Sequence, residues 1–223
     1  MCTWFYVESK PLSQYINKAK TSPLANDIMV DMAKNIAMYG DIRPTDVAAV
    51  IAPARNGGVG IFPMVWGFTH EATNKPIINC RIETAETRPM WKKSWQSRRC
   101  VIPASWYYEW GVSETDDVNN SRKVKKTKYA IQPTGADVTF LAGVYRYEEH
   151  HGKQIPMFSV ITREASESIR IHDRMPFILK QEDVVNWICA ATPPKDISKK
   201  SLTDMIVEPV NDCTAADFVK RLI

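Results

Sequence analysis

The sequence predicts an α+β fold in a single domain, with a mostly antiparallel β-sheet or barrel-like core and flanking helices. Helix-compatible stretches come first, within residues 11–38, and strand patterns fill the middle of the chain from residue 47 onward. The chain has 223 residues, of which 44% are hydrophobic, and this suits one large core. We therefore assign residues 1–223 to one domain.

The helical part of the chain begins before residue 38. Residues 11–38 predict two helices separated at Pro23, with Asn26 or Asp27 as the N-cap of the second helix. Later amphipathic patterns predict helices at residues 181–192 and 214–223.

The strand part consists of β-branched and aromatic runs separated by Gly and Pro. These runs cover residues 47–53, 59–68, 75–84, 100–111, 128–133, 138–147 and 154–163. The polar segment 114–128 lies between two of them and predicts a long hairpin loop.

Composition and motif content exclude several functional classes. No apolar run approaches the ~20 residues of a membrane span, and the first residues do not resemble a secretory signal, so we expect a cytoplasmic protein without membrane contact. The five cysteines are scattered without metal-ligand spacing, so neither a metal site nor a disulfide is expected. Phosphate-binding glycine loops are absent and no cofactor is expected. The net charge of +4 permits an anionic partner without requiring one.

The second residue, Cys2, is the most informative position. If the initiator Met1 is removed, Cys2 becomes a terminal 1,2-aminothiol, whose amine converts an aldehyde to an imine and whose thiolate then closes a thiazolidine ring. The reference pKa is about 8 for the amine and about 8.5 for the thiol, so we expect both to be partly nucleophilic near neutral pH. The alternative is a cysteine that is merely tolerated at this position.

Polar side chains also interrupt an apolar strand pattern at residues 79–83. Asn79, Arg81 and Glu83 alternate with Cys80 and Ile82, so we expect the three polar side chains to face one side of a strand. A polar row is a poor core face, and it is a plausible wall for a binding site.

Glu109 and His172 are candidates for proton transfer. Glu109 lies among the aromatic residues 106–110, and aromatic surroundings remove water from a carboxylate and suit it to acid–base chemistry. The alternative is an outward-facing strand glutamate. His172 precedes Asp173, which can fix the tautomer of the ring, and the alternative is a structural histidine beside a turn.

Taken together, these segments resemble the SRAP family of SOS-response-associated, abasic-site-processing proteins over nearly the full chain. The matching segments, in the order and approximate spacing of the family, are Cys2, PIINCRIET at 76–84, CVIPASWYYEW at 100–110 and IHDRMP at 171–176. Residues 64–68, 88–90 and 160–162 match as well.

The resemblance implies a covalent response to DNA damage. Family members trap the ring-opened aldehyde of an abasic site in single-stranded DNA as a thiazolidine crosslink to a processed N-terminal cysteine, which matches Cys2. Asn79 would orient the cysteine or the sugar, and Arg81 would hold a phosphate. Glu109 would shuttle protons, and His172 would assist opening of the deoxyribose ring and any strand-cleaving lyase step.

The same resemblance implies further DNA contacts and a cellular setting. The expected DNA-binding residues, besides Arg81, are Arg43, Pro44, Trp66, Arg88, Thr162 and Arg174. The expected partner is single-stranded DNA that contains abasic sites, bound by a monomer without metal. The expected setting is the SOS response of a bacterium or a phage-infected cell, in the cytoplasm near the nucleoid.

The chain departs from the family pattern at three places, one of which is the usual Asn-Val-Ala-Pro turn, replaced here by Asp41-Ile42-Arg43-Pro44. Most members begin Cys-Gly-Arg, whereas this chain has Cys2-Thr3-Trp4, so the phosphate contact of that arginine is absent or replaced. Arg43 is the candidate replacement. The tandem tryptophans that often precede the asparagine are replaced by the polar residues 70–73, so the preferred DNA structure can differ.

Two alternative functions stay open at this point. The first is a cysteine peptidase in which Cys2 is the nucleophile and His172 the base, acting on its own N-terminus or on another protein. The second is a binding module for single-stranded DNA without catalysis, in which Glu109 and His172 are structural.

Overall fold

The computed structural model of the protein describes residues 2–70, 72–73, 75–111, 126–189 and 191–210. The strands are β1 (Trp4–Val7), β2 (Gly40–Ile42), β3 (Val47–Pro53), β4 (Val59–Trp66), β5 (Asn79–Arg81), β6 (Arg99–Ala104), β7 (Trp106–Gly111), β8 (Thr127–Pro133), β9 (Thr139–His150), β10 (Lys153–Glu164), β11 (Arg174–Pro176), β12 (Ile178–Leu179) and β13 (Met205–Pro209). The helices are α1 (Ser9–Lys20), α2 (Pro23–Met32), α3 (Ile82–Ala85), α4 (Pro89–Ser97), α5 (Val184–Ile188) and α6 (Pro194–Ser198). This mixture confirms the predicted α+β class.

The first two helices follow the prediction except at their boundary. Pro23 is the first residue of α2, a position where its missing N–H group costs no intrahelical hydrogen bond. The predicted N-caps, Asn26 and Asp27, were wrong, because both lie inside α2 and Ser22 occupies the N-cap position. Helix α1 packs against β3 and β4 through its buried apolar side.

Five strands close into a barrel. Strand β3 pairs antiparallel with β4 and β6, β6 pairs with β9, β9 pairs with β10, and β10 returns to pair in parallel with β4. Closure leaves no free edge in this ring, and the buried apolar residues fill its interior. The predicted barrel-like core is therefore confirmed.

Strand β10 extends beyond the barrel and pairs there with two short strands. Beyond its pairing with β4 and β9, β10 pairs in parallel with β5 and antiparallel with β11. In this register Thr162 lies opposite Arg81 on one side and opposite Pro176 on the other. The pairing brings two predicted site segments, 79–81 and 174–176, to the same end of β10.

A second sheet packs beside the barrel, with strand order β13-β8-β7-β1-β2 and antiparallel pairing throughout. Trp4 of β1 lies opposite Tyr108 of β7. Because the strands are antiparallel, Cys2 precedes β1 at the end of β7 that carries Glu109.

The predicted strand at 100–111 is in fact two strands in different sheets. Strand β6 belongs to the barrel and β7 belongs to the second sheet. The chain crosses over at Ser105, whose N–H donates to the carbonyl of Tyr6 at 2.8 Å and whose hydroxyl accepts from the N–H of Glu8 at 2.9 Å. These bonds hold the crossover against the start of α1.

Other predictions are corrected or fall outside the described residues. The run at 75–84 is a strand only at Asn79–Arg81, since helix α3 begins at Ile82 and takes Glu83 out of the strand. The helix predicted at 181–192 is a 3-10 turn followed by α5, and it ends at Ile188. The predicted helix 214–223 and loop residues 114–125 lie outside the described residues. Among those that are described, no helix combines the length and the apolar character needed to cross a membrane.

Candidate active site

Asn79 fixes the backbone of Cys2. The side-chain amide of Asn79 donates to the carbonyl oxygen of Cys2 at 2.8 Å, across 77 residues of sequence. The other amide atom, Oδ1, is buried and has no hydrogen-bond partner within the described residues. This hydrogen bond joins strand β5 to the backbone of Cys2, and the role expected for Asn79 in the chemistry stays a prediction.

The Cys2 thiol is less acidic than its sequence position suggests. Its side chain is fully buried, and the sulfur lies 3.7 Å from the carbonyl oxygen of Trp4. Burial, and then the negative charge of Glu109, raise the pKa of the Cys2 thiol far above its usual range. In the chain that begins with Met1, loss of hydration favours the neutral thiol. The expected partial ionisation concerns the Met1-free protein and stays a prediction. A neutral thiol needs a base to accept its proton.

Glu109 is buried and faces the same region. Its side chain is 3% exposed, so the alternative of an outward-facing strand glutamate is excluded. Of the aromatic residues around it in the sequence, Tyr107 shares its face of β7, whereas Trp106, Tyr108 and Trp110 form a cluster on the other face. The carboxylate charge acts on both Cys2 and Tyr107.

Gly111 brings the His172 segment close to the end of β7. A Cβ atom on Gly111 would lie 2.4 Å from the Cβ of Ile171 and 2.9 Å from its carbonyl oxygen, so a larger residue does not fit. The close approach places His172, the next residue, beside the strand end that carries Glu109.

The ring of His172 has two competing contacts at one nitrogen. Nδ1 lies 3.0 Å from the backbone nitrogen of Arg174 and 2.8 Å from a carboxylate oxygen of Asp173. A single nitrogen cannot accept from the first and donate to the second, so the position of the proton decides between them. The backbone N–H of Arg174 has a fixed position. The Asp173 side chain is 86% exposed, so water competes with His172 for hydrogen bonds to its carboxylate. We therefore favour the tautomer with Nδ1 as acceptor and the proton on Nε2.

Arg174 is held by Glu83. Its two terminal nitrogens donate to the two Glu83 oxygens at 2.7 and 3.0 Å, and one of them also donates to the Thr162 carbonyl at 2.9 Å. Partial burial alone would raise the pKa of Glu83, but these hydrogen bonds and the charges of Arg174 and Arg81 outweigh it and hold the pKa below its usual value. The Glu83 carboxylate thus pairs with Arg174.

Arg81, His172 and Arg174 line a groove of about 560 Å³. The other lining residues are Glu164, Ala165, Ser166, Glu167, Ile169 and Asp173. Arg81 is exposed here, and Arg88 is exposed at the start of α4. The described residues contain no group of His, Cys, Asp or Glu side chains arranged to hold a metal ion.

Trp66 and Thr162, both expected at the DNA surface, lie inside the protein. Each is 0% exposed. The Trp66 indole donates to the Ile78 carbonyl at 3.0 Å, and Thr162 accepts from Arg174 through its own carbonyl. Any contribution of theirs to DNA binding would act through these neighbours.

Arg43 lies on the outer face of the second sheet. Its guanidinium carbon is 4.2 Å from the ring centre of Trp4, and the Lys128 ammonium is 4.6 Å from the same ring. Trp4 stands where most family members have arginine, and two cations lie close to its ring. Pro44 is half-buried in the turn after β2.

Sequence reasoning missed the Glu83–Arg174 pair and the position of Tyr107. The pair spans 91 residues, and no local pattern indicates it. Tyr107 had a usable signal, because residues two apart on a strand share a face and Glu109 was already a candidate.

Comparison with known proteins agrees with the geometry. The family model described as SOS response associated peptidase (SRAP) matches residues 1–219. This chain belongs to the SRAP family. The abasic site processing protein YoaM of Bacillus subtilis is 29% identical over 187 residues, which cover 80% of this chain and 75% of that protein. The abasic site processing protein YedK of Escherichia coli is 28% identical, covering 79% and 77%.

Solved structures share the fold of this chain. A protein from Bacteroides thetaiotaomicron superposes with a TM-score of 0.69 at 18% identity, covering 98% of this chain and 94% of that one. A phage-related protein from Bordetella bronchiseptica gives a TM-score of 0.66 at 21% identity, covering 94% of each chain.

Proposed function

We propose that this SRAP protein processes abasic sites in single-stranded DNA by forming a thiazolidine crosslink through Cys2 after removal of Met1. The observation that carries the proposal is the buried Cys2, which is fixed by Asn79 and lies within the field of Glu109. Membership in the family and the printed names of the relatives support the choice of substrate.

The first chemical step is imine formation. The α-amine of Cys2 adds to the aldehyde carbon, and the resulting carbinolamine loses water to give a C=N bond. This step needs a group that takes protons from nitrogen and delivers them to the leaving oxygen. Glu109 is the buried carboxylate placed for that task.

The second step is closure of the ring. The Cys2 sulfur adds to the imine carbon, and its proton moves to the nitrogen. Because burial keeps the thiol neutral, Glu109 accepts the thiol proton as the C–S bond forms and returns it to nitrogen. The same carboxylate thus serves both steps. This role requires a position close to Cys2, and the effect of the Glu109 charge on the pKa of the Cys2 thiol supports that position.

The exposed arginines provide phosphate contacts. Arg81 and His172 both line the groove. Arg88 follows later in the sequence and is exposed just before α4. Single-stranded DNA is bound through such cations together with flat aromatic surface. His172 lies at this groove, in a position to assist opening of the sugar ring and a lyase step.

The test is the intact mass of Met1-free protein after incubation with single-stranded DNA that contains one abasic site, with undamaged DNA as control. We expect a species of protein plus DNA minus one water that is absent from Cys2→Ala.

The other outcomes of this test identify the alternatives. DNA binding without an adduct would indicate a non-catalytic binding module. Loss of Met1 without DNA chemistry would favour a peptidase that uses Cys2 and His172. A peptidase should also tolerate extra residues before Cys2, whereas the crosslinking enzyme should not.

A further inference from the structure

A buried phenol, that of Tyr107, lies on the strand that carries Glu109. Tyr107 is fully buried, and its hydroxyl finds no donor or acceptor within the described residues. Burial of a hydroxyl without a partner is unfavourable, because its hydrogen bonds to water are lost and not replaced. Among the described residues, the hydroxyl of Tyr107 is thus a donor that a bound molecule can use.

The adjacent tyrosine on the same strand is different. Tyr108 is almost as buried as Tyr107, but it lies on the outer face of the sheet, where burial and then the side chains of Trp106 and Asp41 act on the pKa of its hydroxyl. The Lys128 ammonium lies 3.6 Å from the centre of the Tyr108 ring. The two neighbouring phenols thus have different surroundings, and Tyr107 is the one on the face of Glu109.

Backbone geometry places Tyr107 at the proposed reaction centre. Tyr107 lies two residues before Glu109, so both side chains project from one face of β7. Its partner in β1 is Phe5, three residues after Cys2. Burial, and then the charges of Cys2 and Glu109, raise the pKa of the Tyr107 hydroxyl well above its usual value, so this group stays protonated.

We propose that the Tyr107 hydroxyl donates a hydrogen bond to the aldehyde oxygen of the ring-opened abasic site during attack by Cys2, an inference that rests on the proposed function. As the C–N bond forms, the π electrons of the carbonyl move onto this oxygen, and the hydroxyl stabilises the developing charge. Two protons leave the amine and reach the oxygen through Glu109, and the oxygen departs as water when the C=N bond forms. Tyr107 keeps its own proton throughout.

The test compares Tyr107→Phe with Tyr108→Phe in Met1-free protein. The two tyrosines are adjacent in the sequence, and each variant removes one hydroxyl group. The readouts are the single-turnover rate of crosslinking at saturating abasic DNA, the DNA concentration at half-saturation and the melting temperature. We expect Tyr107→Phe to lower the saturated rate about tenfold, with unchanged half-saturation and an equal or higher melting temperature. We expect Tyr108→Phe to lower the melting temperature and leave the rate unchanged.

The outcomes separate this inference from the proposed function. An unchanged rate in Tyr107→Phe, with normal crosslinking by the wild type, overturns the role of Tyr107 alone. A lower melting temperature in Tyr107→Phe also overturns it, because the hydroxyl would then have a partner in the free protein. If the wild type forms no adduct, the proposed function fails and this inference fails with it.

Discussion

The two faces of strand β7 differ in how they treat polar groups. The inner face carries Glu109 and Tyr107 close to Cys2, and its polar atoms are buried beside a thiol whose charged form is disfavoured. The outer face carries Trp106, whose ring stacks on that of Tyr6, and Tyr108, whose ring centre lies 3.6 Å from the Lys128 ammonium. The inner face thus carries the groups of the proposed reaction, whereas the outer face is packed against other aromatic and charged groups of the chain.

Because of this difference, we expect the residues of the proposed reaction and the residues that stabilise the fold to lie on opposite faces of one strand. Successive side chains of a strand point to opposite faces, so changes at neighbouring positions should affect different properties. Inner-face substitutions should alter the crosslinking rate, and outer-face substitutions should alter the free energy of unfolding.

The largest effect is expected from Glu109→Gln on the inner face. The amide keeps the shape of the side chain and cannot carry protons, so the crosslinking rate should fall by about 10²- to 10⁴-fold with DNA affinity retained. The measurement is the single-turnover rate, followed by gel separation of the denaturant-stable adduct. The control is Trp110→Phe, the next residue on the opposite face, for which the rate should change less than about threefold. Equal losses in both variants would remove the distinction between the faces.

The next effect is expected from Trp106→Ala on the outer face. Trp106 is almost fully buried, and its ring stacks on that of Tyr6 with centroids 4.4 Å apart. Its removal should lower the free energy of unfolding by about 3–5 kcal/mol, as measured by urea denaturation. The crosslinking rate per folded molecule should not change at low temperature. A rate loss that matches that of Glu109→Gln would show that the outer face takes part in the chemistry.

A smaller effect is expected from Arg43→Ala, which tests whether DNA reaches the outer face. The guanidinium is exposed and stacks on Trp4. If it holds one phosphate, the slope of log affinity against log salt concentration should decrease by about 0.7 for a single strand. The control is Arg55→Ala, which removes the same charge from the exposed turn between β3 and β4. Identical slopes for the two variants would exclude the Arg43 contact.

The smallest effect is expected from Glu83→Gln, and it depends on pH. The folded-state pKa of Glu83 lies below its usual value, so its ion pair with Arg174 stabilises the protein above that value and is lost as pH falls through the folded pKa. The Glu83 side chain is 44% exposed, so the stabilisation should not exceed about 1 kcal/mol. Melting temperatures of the wild type and the variant should differ near neutral pH and converge on acidification. A constant difference would contradict the assignment.

Local patterns in the sequence were sufficient for much of the fold. Alternation and β-branched content located the strand Val47–Pro53 and the long strands β9 and β10, since these patterns depend on neighbouring residues only. The chemistry of the side chains singled out Cys2, Asn79, Glu109 and His172 as candidates, the resemblance to the family gave them roles, and those roles stay predictions.

Boundaries and pairings were not available from the sequence. The break at Ser105 has no strong turn signal, because it is set by hydrogen bonds to the distant residues Tyr6 and Glu8. Barrel closure depends on the pairing of β10 with β4, which are far apart in the chain.

By itself, the sequence determined which residues alternate along β7 and which segments carry the family motifs, because both follow from the order of neighbouring residues. Only the tertiary structure decided that burial favours the neutral Cys2 thiol, that Glu83 pairs with Arg174 and that the Tyr107 hydroxyl finds no partner among the described residues. The physical reason is that hydration, ion pairing and hydrogen-bond satisfaction depend on which distant segments surround a group, and folding alone brings those segments together.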